Sequence, residues 1–142
     1  MPGAASLQTL RSFLQDERAA TVRYRRALAQ FSDRAETDEL NACLESHERR
    51  IETLERRIRE MGADPQLEHG PPEADEAWTG DGPSGVMAVL EESEDRALKH
   101  YLDDVCKLDG DTRLLIAREV LPEQVRTYDS LADLRLARTA AT

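Results

Sequence analysis

Two glutamates, Glu17 and Glu94, lie at the centre of apolar helical repeats and could place carboxylate chemistry inside the protein. Around each of them, apolar residues recur every three or four positions, as on one face of an α-helix. A tyrosine follows each glutamate seven residues later, Tyr24 after Glu17 and Tyr101 after Glu94. Because seven residues make two helical turns, each phenol is expected on the same face as its acid, about 10 Å along the axis. The spacing therefore predicts two acid–tyrosine pairs that face one core.

Each buried acid needs a partner, because an unpaired carboxylate in a dry interior costs several kcal/mol. One interpretation is a metal-free polar network that fixes the register of the helices. Its predicted members are the two glutamates, an arginine or histidine, Thr21, Ser93 and the tyrosines Tyr24, Tyr101 and Tyr128. In such a network at least one of the two acids is expected to be protonated at neutral pH, because two nearby carboxylates disfavour double ionisation.

The alternative interpretation is a di-metal centre for iron or manganese, with Glu17, Glu94 and His47 as the candidate ligands. In helical bundles such a centre takes one glutamate from each of two helices and a Glu-x-x-His motif from each of the other two. The candidate motifs here are Leu44-Glu45-Ser46-His47 and Val125-Arg126-Thr127-Tyr128. Leucine and valine stand where the bridging acids are needed, so the charge of two metals would be under-compensated. The sequence therefore favours the network, and no cofactor is favoured.

Catalytic residues cannot be assigned, because the chain has no glycine-rich phosphate loop, Ser/His/Asp set or reactive-cysteine context. Whether the protein is an enzyme stays open, and an oxidoreductase-like activity would require the di-metal centre. Arginines of the second helix alternate with glutamates at helical spacing, which indicates a solvated ion-pair face rather than a phosphate site. These arginines are Arg49, Arg50, Arg56, Arg57 and Arg59.

Four helices must position these side chains, and the apolar repeats predict them over about residues 6–31, 36–61, 84–108 and 112–138. Between the second and third helices, residues 63–82 are rich in glycine, proline and acidic residues, which predicts a solvated linker. The two short connections predict two antiparallel hairpins, and the linker is long enough to cross from one end of the molecule to the other. The predicted fold class is therefore an all-α four-helix bundle with ferritin-like connectivity.

Local signals mark the ends and faces of these helices. Asp33 with Glu36 resembles a capping box, and Gly62 stands where a left-handed cap would end the second helix. Pro122 predicts a kink in the fourth helix, because proline removes an intrahelical donor. The core face of the fourth helix is predicted from its apolar residues, which are Leu114, Ala117, Leu121, Val125, Tyr128, Leu131 and Ala132.

The length of 142 residues suits one domain, residues 1–142. The net charge of −10 and the pI of 4.8 repel phosphates and anionic lipid headgroups, so no nucleic acid and no membrane is expected as a partner. The chain shows neither a secretory signal nor a membrane span, which indicates a cytoplasmic protein. Its two cysteines, Cys43 and Cys106, are accordingly expected to be reduced.

Three strings of the chain resemble an uncharacterised bacterial family of four-helix-bundle proteins in the ferritin-like superfamily. These strings are Asp16-Glu17, Tyr24-Arg25-Arg26-Ala27 and Glu94-Asp95-Arg96-Ala97-Leu98-Lys99-His100-Tyr101, and the likeness extends from about Leu7 to Leu134. The resemblance implies a ferritin-like bundle without an established activity and suggests an association with stress proteins. Glu17 and Glu94 match the first-helix and third-helix acids of the di-iron centres in ferritin-like proteins.

Two functions are therefore expected from the sequence. The first is a metal-free bundle that acts through protein association, as a homodimer or with a protein partner. The alternative is a di-metal carboxylate protein with a redox or storage role, for which iron or manganese would be the cofactor.

Overall fold

The computed structural model describes residues 3–66 and 82–141, which are helical apart from short connections and contain no β-strand. Four long helical segments follow one another along the described chain. The first three are α1, Ala4–Leu28; α2, Arg34–Glu60; and α3, Gly82–Asp104. The fourth segment consists of α4, Gly110–Leu115; a π-helical turn, Ile116–Val120; and α5, Leu121–Ala141. A 3₁₀ turn, Val105–Lys107, follows α3. The predicted all-α class with four helices is confirmed, and the predicted ends differ from the observed ones by one to four residues.

Both ends of α2 are set by signals that the sequence carries. The Asp33 carboxylate accepts a hydrogen bond from the Glu36 amide at 2.9 Å and caps the start of the helix. Gly62 has a φ of 81°, which is the left-handed conformation predicted for it. The amide of Ala63 reaches back to the carbonyl of Ile58 at 3.1 Å. This Schellman arrangement satisfies carbonyls at the end of the helix that would otherwise lack donors.

The fourth segment is irregular immediately before Pro122. In the π-helical turn, the amide of Leu121 donates to the carbonyl of Ile116, five residues earlier. Proline has no amide hydrogen and its ring crowds the preceding turn, so a wider turn accommodates it. The kink predicted at Pro122 stays a prediction, and the residues before it form a π-helical turn, a feature that often lies at functional sites.

The interior consists of two apolar layers with a polar layer between them. Helix α1 packs against α2 and α3, and α5 packs against the same two helices. One apolar cluster contains Tyr24, Leu40 and Met87, and the other contains Phe13 and Leu54. In each helical segment, buried polar residues fall between members of the two clusters. Burying one large apolar side chain stabilises the fold by about 2 kcal/mol, so the two clusters supply much of the driving force for folding.

The fourth segment turns a different face to the interior from the predicted one. Leu114 is 51% exposed and Val125 is 43% exposed, although both were assigned to the core face by their spacing. The buried positions include three polar side chains, each bonded to a charged group of another helix. These buried positions are Thr112, Ile116, Val120, Gln124, Thr127 and Leu131. The prediction from apolar spacing is wrong for Leu114 and Val125 because the inward face combines apolar residues with polar ones that bond to other helices, so apolar spacing alone does not define it.

Most of the predicted linker, residues 67–81, lies outside the described residues. Of the remainder, Pro65 is buried and Gly82 already belongs to α3. Within the described chain, no helix combines the length and the apolar character needed to span a bilayer.

Candidate functional site

The polar layer is centred on His47, which lies between the two glutamates singled out by the sequence. Its Nδ1 atom is 2.6 Å from Glu17 Oε2, and its Nε2 atom is 2.6 Å from Glu94 Oε1. Helices α1, α2 and α3 each supply one of these three side chains, and all three are buried. The structure therefore brings together the three residues that the sequence offers as metal ligands, with hydrogen bonds joining them.

Each of the two predicted tyrosines donates to the glutamate of the facing helix. Tyr24 of α1 donates to Glu94 Oε1 at 2.7 Å, and Tyr101 of α3 donates to Glu17 Oε1 at 2.7 Å. Burial and the adjacent carboxylates raise the pKa of both tyrosines well above 10. Both phenols therefore remain protonated and act as donors to the glutamates.

Two residues of α5 complete the surroundings of Glu94. Gln124 Nε2 donates to Glu94 Oε2 at 2.8 Å and to the Glu94 carbonyl at 3.0 Å. The Thr127 hydroxyl donates to the same Oε2 atom at 2.8 Å. Both carboxylate oxygens of Glu94 thus accept two hydrogen bonds from side chains, which fixes the carboxylate without any need for water.

Among the described residues, Arg50 is the largest side chain that is fully buried, with 1% of its surface exposed. Its Nη1 atom is 3.4 Å from Glu17 Oε1 and also donates to the side-chain amide oxygen of Gln124. Its Nη2 atom donates to the Thr127 hydroxyl at 3.3 Å, and its Nε atom donates to the Ser46 carbonyl at 3.3 Å. The prediction that Arg50 belongs to a solvated face is therefore wrong, because its charge is used inside the polar layer.

The polar layer balances two acids against two bases. Burial alone raises the pKa of Glu94, but His47 and Arg50 outweigh this effect and lower it to about 2. Arg50 and His47 likewise lower the pKa of Glu17 despite its burial. The two carboxylates raise the pKa of His47, although burial of the imidazole acts in the opposite direction. The prediction that one acid is protonated at neutral pH is contradicted, because the two cations stabilise both ionised carboxylates.

Tyr128, the third tyrosine predicted for the network, is not part of it. Its side chain is half-buried, and no hydrogen bond joins it to a member of the polar layer in the described chain. Thr127 occupies the inward position instead, because its hydroxyl connects Arg50 with Glu94. The prediction followed the apolar spacing of the fourth segment, which is displaced by one residue from the observed inward face.

The atoms of the polar layer do not fit a metal centre. Both ring nitrogens of His47 already face carboxylates, and the Arg50 guanidinium lies beside Glu17, where a bound cation would need negative charge. The described residues contain no group of three or more His, Cys, Asp or Glu side chains that could hold a metal ion. A metal would add positive charge next to Arg50. Leu44, which stands where a Glu-x-x-His motif would have its glutamate, provides no negative charge to offset it.

A cavity of 360 Å³ between α1 and α3 reaches the polar layer. Four members of the layer line it: Glu17, Tyr24, His47 and Glu94. The other lining residues are Asp16, Ala20, Arg23, Leu90, Ser93, Arg96, Ala97 and His100. Small side chains at Ala20 and Ala97 leave room between the two helices, so the cavity gives a small molecule access to buried carboxylates.

A serine, a histidine and an aspartate also meet at the edge of this cavity. Ser12 Oγ is 3.2 Å from His100 Nε2, and His100 Nδ1 is 2.6 Å from Asp16 Oδ2. However, Asp104 Oδ2 lies 3.1 Å from the same Nε2 atom. Nε2 therefore faces a carboxylate as well as the Ser12 hydroxyl, whereas the histidine of a catalytic triad keeps this nitrogen for the serine alone. The arrangement therefore does not form a nucleophilic triad.

Sequence reasoning missed Arg50, Gln124 and Thr127 as members of the site. Arg50 lies three residues after His47 and four before Leu54, and this spacing places it on the core stripe of α2. That signal could have identified it within the run of charged residues. Gln124 and Thr127 carry no such signal, because polar residues on amphipathic helices are ordinarily exposed.

Comparisons with known proteins complete the description of the site. No model of a known protein family matches the chain, and neither curated proteins nor solved structures give a match. The likeness to a ferritin-like family therefore stays a prediction from the sequence strings.

Proposed function

We propose that this protein is a metal-free four-helix bundle with ferritin-like connectivity that binds a small neutral molecule in the cavity between α1 and α3. The observation that carries the proposal is the buried carboxylate of Glu17, which lines this cavity and whose Oε2 atom has one hydrogen-bond partner among the described residues. The di-metal alternative is not favoured, because its candidate ligands are already bonded to one another.

Contacts between helices support the proposed connectivity. Arg11, near the start of α1, donates to the Asp64 carbonyl just after α2. Glu17 bonds to Tyr101, and Tyr24, further along α1, bonds to the earlier residue Glu94 of α3. These contacts support an antiparallel arrangement of α1 with both neighbours, in which α2 and α3 would be parallel to each other. A connection between two parallel helices must cross the length of the bundle, which is the ferritin-like arrangement.

Of the polar-layer carboxylates that line the cavity, one oxygen can accept a further hydrogen bond in the described chain. Glu17 Oε1 has two partners, Tyr101 and Arg50, and each oxygen of Glu94 also has two. Glu17 Oε2 has one partner within the described residues, His47. Because a carboxylate oxygen can accept two hydrogen bonds, a donor on the ligand can fill the remaining position.

The charge balance of the polar layer selects for a neutral ligand. A cationic ligand would add a third positive charge beside His47 and Arg50, and His47 would then have to release its proton. A neutral hydroxyl or amide group keeps the two acids matched by two bases. Around this polar floor, Ala20, Leu90 and Ala97 provide apolar contact, as in ordinary ligand pockets. The ligand class is therefore a compact apolar molecule that carries one neutral donor group.

Benzyl alcohol and toluene test this proposal, because they share a ring and differ in the donor. Heteronuclear NMR titration should show saturable shifts of amides near Ala20 and Ala97 with benzyl alcohol. Toluene should bind about fivefold more weakly, since one hydrogen bond contributes roughly 1 kcal/mol.

Two leucine variants provide the matched controls. Ala97→Leu should fill the cavity and abolish binding, whereas Ala42→Leu, at an exposed position of α2, should leave it unchanged. Equal binding of the two probes, or binding that survives Ala97→Leu, would count against the proposal.

Association with a second copy of the chain is a second candidate, because the described chain exposes several large apolar side chains. Leu114, Val125 and Leu136 lie on the fourth segment, and Leu102 lies on α3. Their burial against a partner would remove apolar surface from water. Sedimentation velocity across a range of protein concentrations should then show a dimer that Val125→Lys weakens. A monomer at all concentrations would exclude this candidate.

A further inference from the structure

A second cavity, of 350 Å³, lies between α2 and the region of the π-helical turn, away from the polar layer's opening between α1 and α3. Arginines of α2 and of the fourth segment line it together. They are Arg49, Arg50, Arg56, Arg118 and Arg126, and the only acidic lining residues are Glu119 and Glu123. The cavity thus carries a surplus of positive charge, although the whole chain has a net charge of −10.

One carboxylate already occupies part of this arginine cluster. Glu123 lies 3.1 Å from Arg49 and 2.5 Å from Arg126, and it accepts a hydrogen bond from Ser46 at 2.5 Å. Although partial burial acts to raise the pKa of Glu123, these donors lower it to about 2. The protein itself therefore shows that donors converging on this cavity hold an oxyanion.

Two further arginines of the same cavity pair with no carboxylate of the described residues. Neither Arg56 nor Arg118 makes an ion pair or hydrogen bond with any described residue, and both are exposed. Arg56 comes from α2, whereas Arg118 lies within the π-helical turn, so the two guanidinium groups approach the cavity from different elements. Guanidinium groups present planar forks of donors that match phosphate oxygens.

We propose that this cavity is a binding site for a small oxyanion of the phosphate class, held by Arg56 and Arg118. The site is independent of the cavity between α1 and α3 and of the ligand proposed there. Glu123 already engages Arg49 and Arg126, so Arg56 and Arg118 remain to supply two positive charges, which match those of one phosphate dianion. Glu119 opposes the anion, because its carboxylate lines the same cavity.

The test uses inorganic phosphate and glycerol phosphate as probes at constant ionic strength, with sodium chloride as the balancing salt. Heteronuclear NMR should show saturable shifts at amides near Thr53 and Arg118 with phosphate and none with chloride. Stronger binding of glycerol phosphate would identify a phosphomonoester as the ligand, and equal or weaker binding would identify free phosphate. Either result supports the site.

Variants of the lining residues separate a specific site from general electrostatics. The double variant Arg56→Ala with Arg118→Ala should weaken phosphate binding at least about tenfold, because two charge-assisted contacts are removed. Glu119→Gln should strengthen it about two- to fivefold, since one exposed repulsive charge is lost. Arg25→Ala, at an exposed position of α1, is the control and should change nothing.

Circular dichroism establishes that each variant remains folded before binding is compared. Shifts that fail to saturate, equal effects of phosphate and chloride, or an equal loss with Arg25→Ala would each overturn the proposal. A Glu119→Gln variant that binds phosphate no more tightly than the wild type would also overturn the placement of the anion beside this residue.

Discussion

Replacing Glu94 with glutamine tests whether the polar layer depends on its charges. Glutamine keeps the length of the side chain but removes one of the two negative charges that match His47 and Arg50. Its amide nitrogen would also face donors, because Gln124 and Thr127 both direct hydrogens at Glu94 Oε2. The variant therefore loses an ion pair and gains a repulsive contact between donors.

The size of the effect follows from the pKa of Glu94. The pKa falls from 4.5 to about 2 in the folded protein, which corresponds to roughly 3 kcal/mol of stability at neutral pH. Removing one partner of a buried ion pair costs about 3–5 kcal/mol, which agrees with this figure. We therefore expect Glu94→Gln to lower the free energy of unfolding by roughly 3 kcal/mol at pH 7. Deprotonation of His47 would reduce the loss, since it removes the unmatched charge.

Urea unfolding followed by circular dichroism measures this difference. The matched control is Glu91→Gln on the same helix, because Glu91 pairs with Arg135 at the surface and should contribute less than about 1 kcal/mol. A group with a lowered pKa stabilises the fold above its unfolded pKa and loses this effect as the pH falls. The penalty of Glu94→Gln should therefore shrink between pH 7 and pH 3. A variant as stable as the control, or a penalty that does not change with pH, would refute the reasoning.

Three further predictions concern pH, the end of α2 and metal content. Because the pKa values of Glu17 and Glu94 are lowered by folding, protonation of these acids should reduce stability as the pH falls below about 4.5. Because the pKa of His47 is raised, its deprotonation should reduce stability as the pH rises above about 6.5, so urea midpoints should be highest between these two values. Gly62→Ala should cost about 1 kcal/mol in urea unfolding, since its φ is 81°, whereas Gly110→Ala should not destabilise the protein. Protein purified without chelator should contain no stoichiometric iron or manganese by elemental analysis, and a metal that Glu17→Ala removes would contradict this.

Features encoded by neighbouring residues could be predicted from the sequence. The cap at Asp33 and the left-handed turn at Gly62 each depend on a few neighbouring residues, so a short stretch of sequence is enough to predict them. Glu17, His47 and Glu94 could be placed in the core because the apolar residues around them fix the phase of their helices.

Features that depend on partners distant in the chain could not be predicted. The spacing of Arg50 places it on the core stripe of α2, but its partners Glu17 and Gln124 lie on other helices and could not be identified from the sequence. The phase of the fourth segment could not be read from apolar spacing, since Gln124 and Thr127 point inward to bond Glu94. In this segment the apolar residues indicate a helix, whereas contacts with the other helices decide how the helix is rotated about its axis.

The distribution of charges in the polar layer has a consequence for how the chain folds. Helices α1 and α2 contribute one carboxylate, Glu17, and two cations, His47 and Arg50, while α3 contributes the second carboxylate, Glu94. The first half of the chain alone would bury an unmatched positive charge, which costs several kcal/mol. A half-formed intermediate is therefore unfavourable, and unfolding should occur in one cooperative transition. For the same reason, two fragments cut between α2 and α3 should be unstructured apart and should fold when they are mixed.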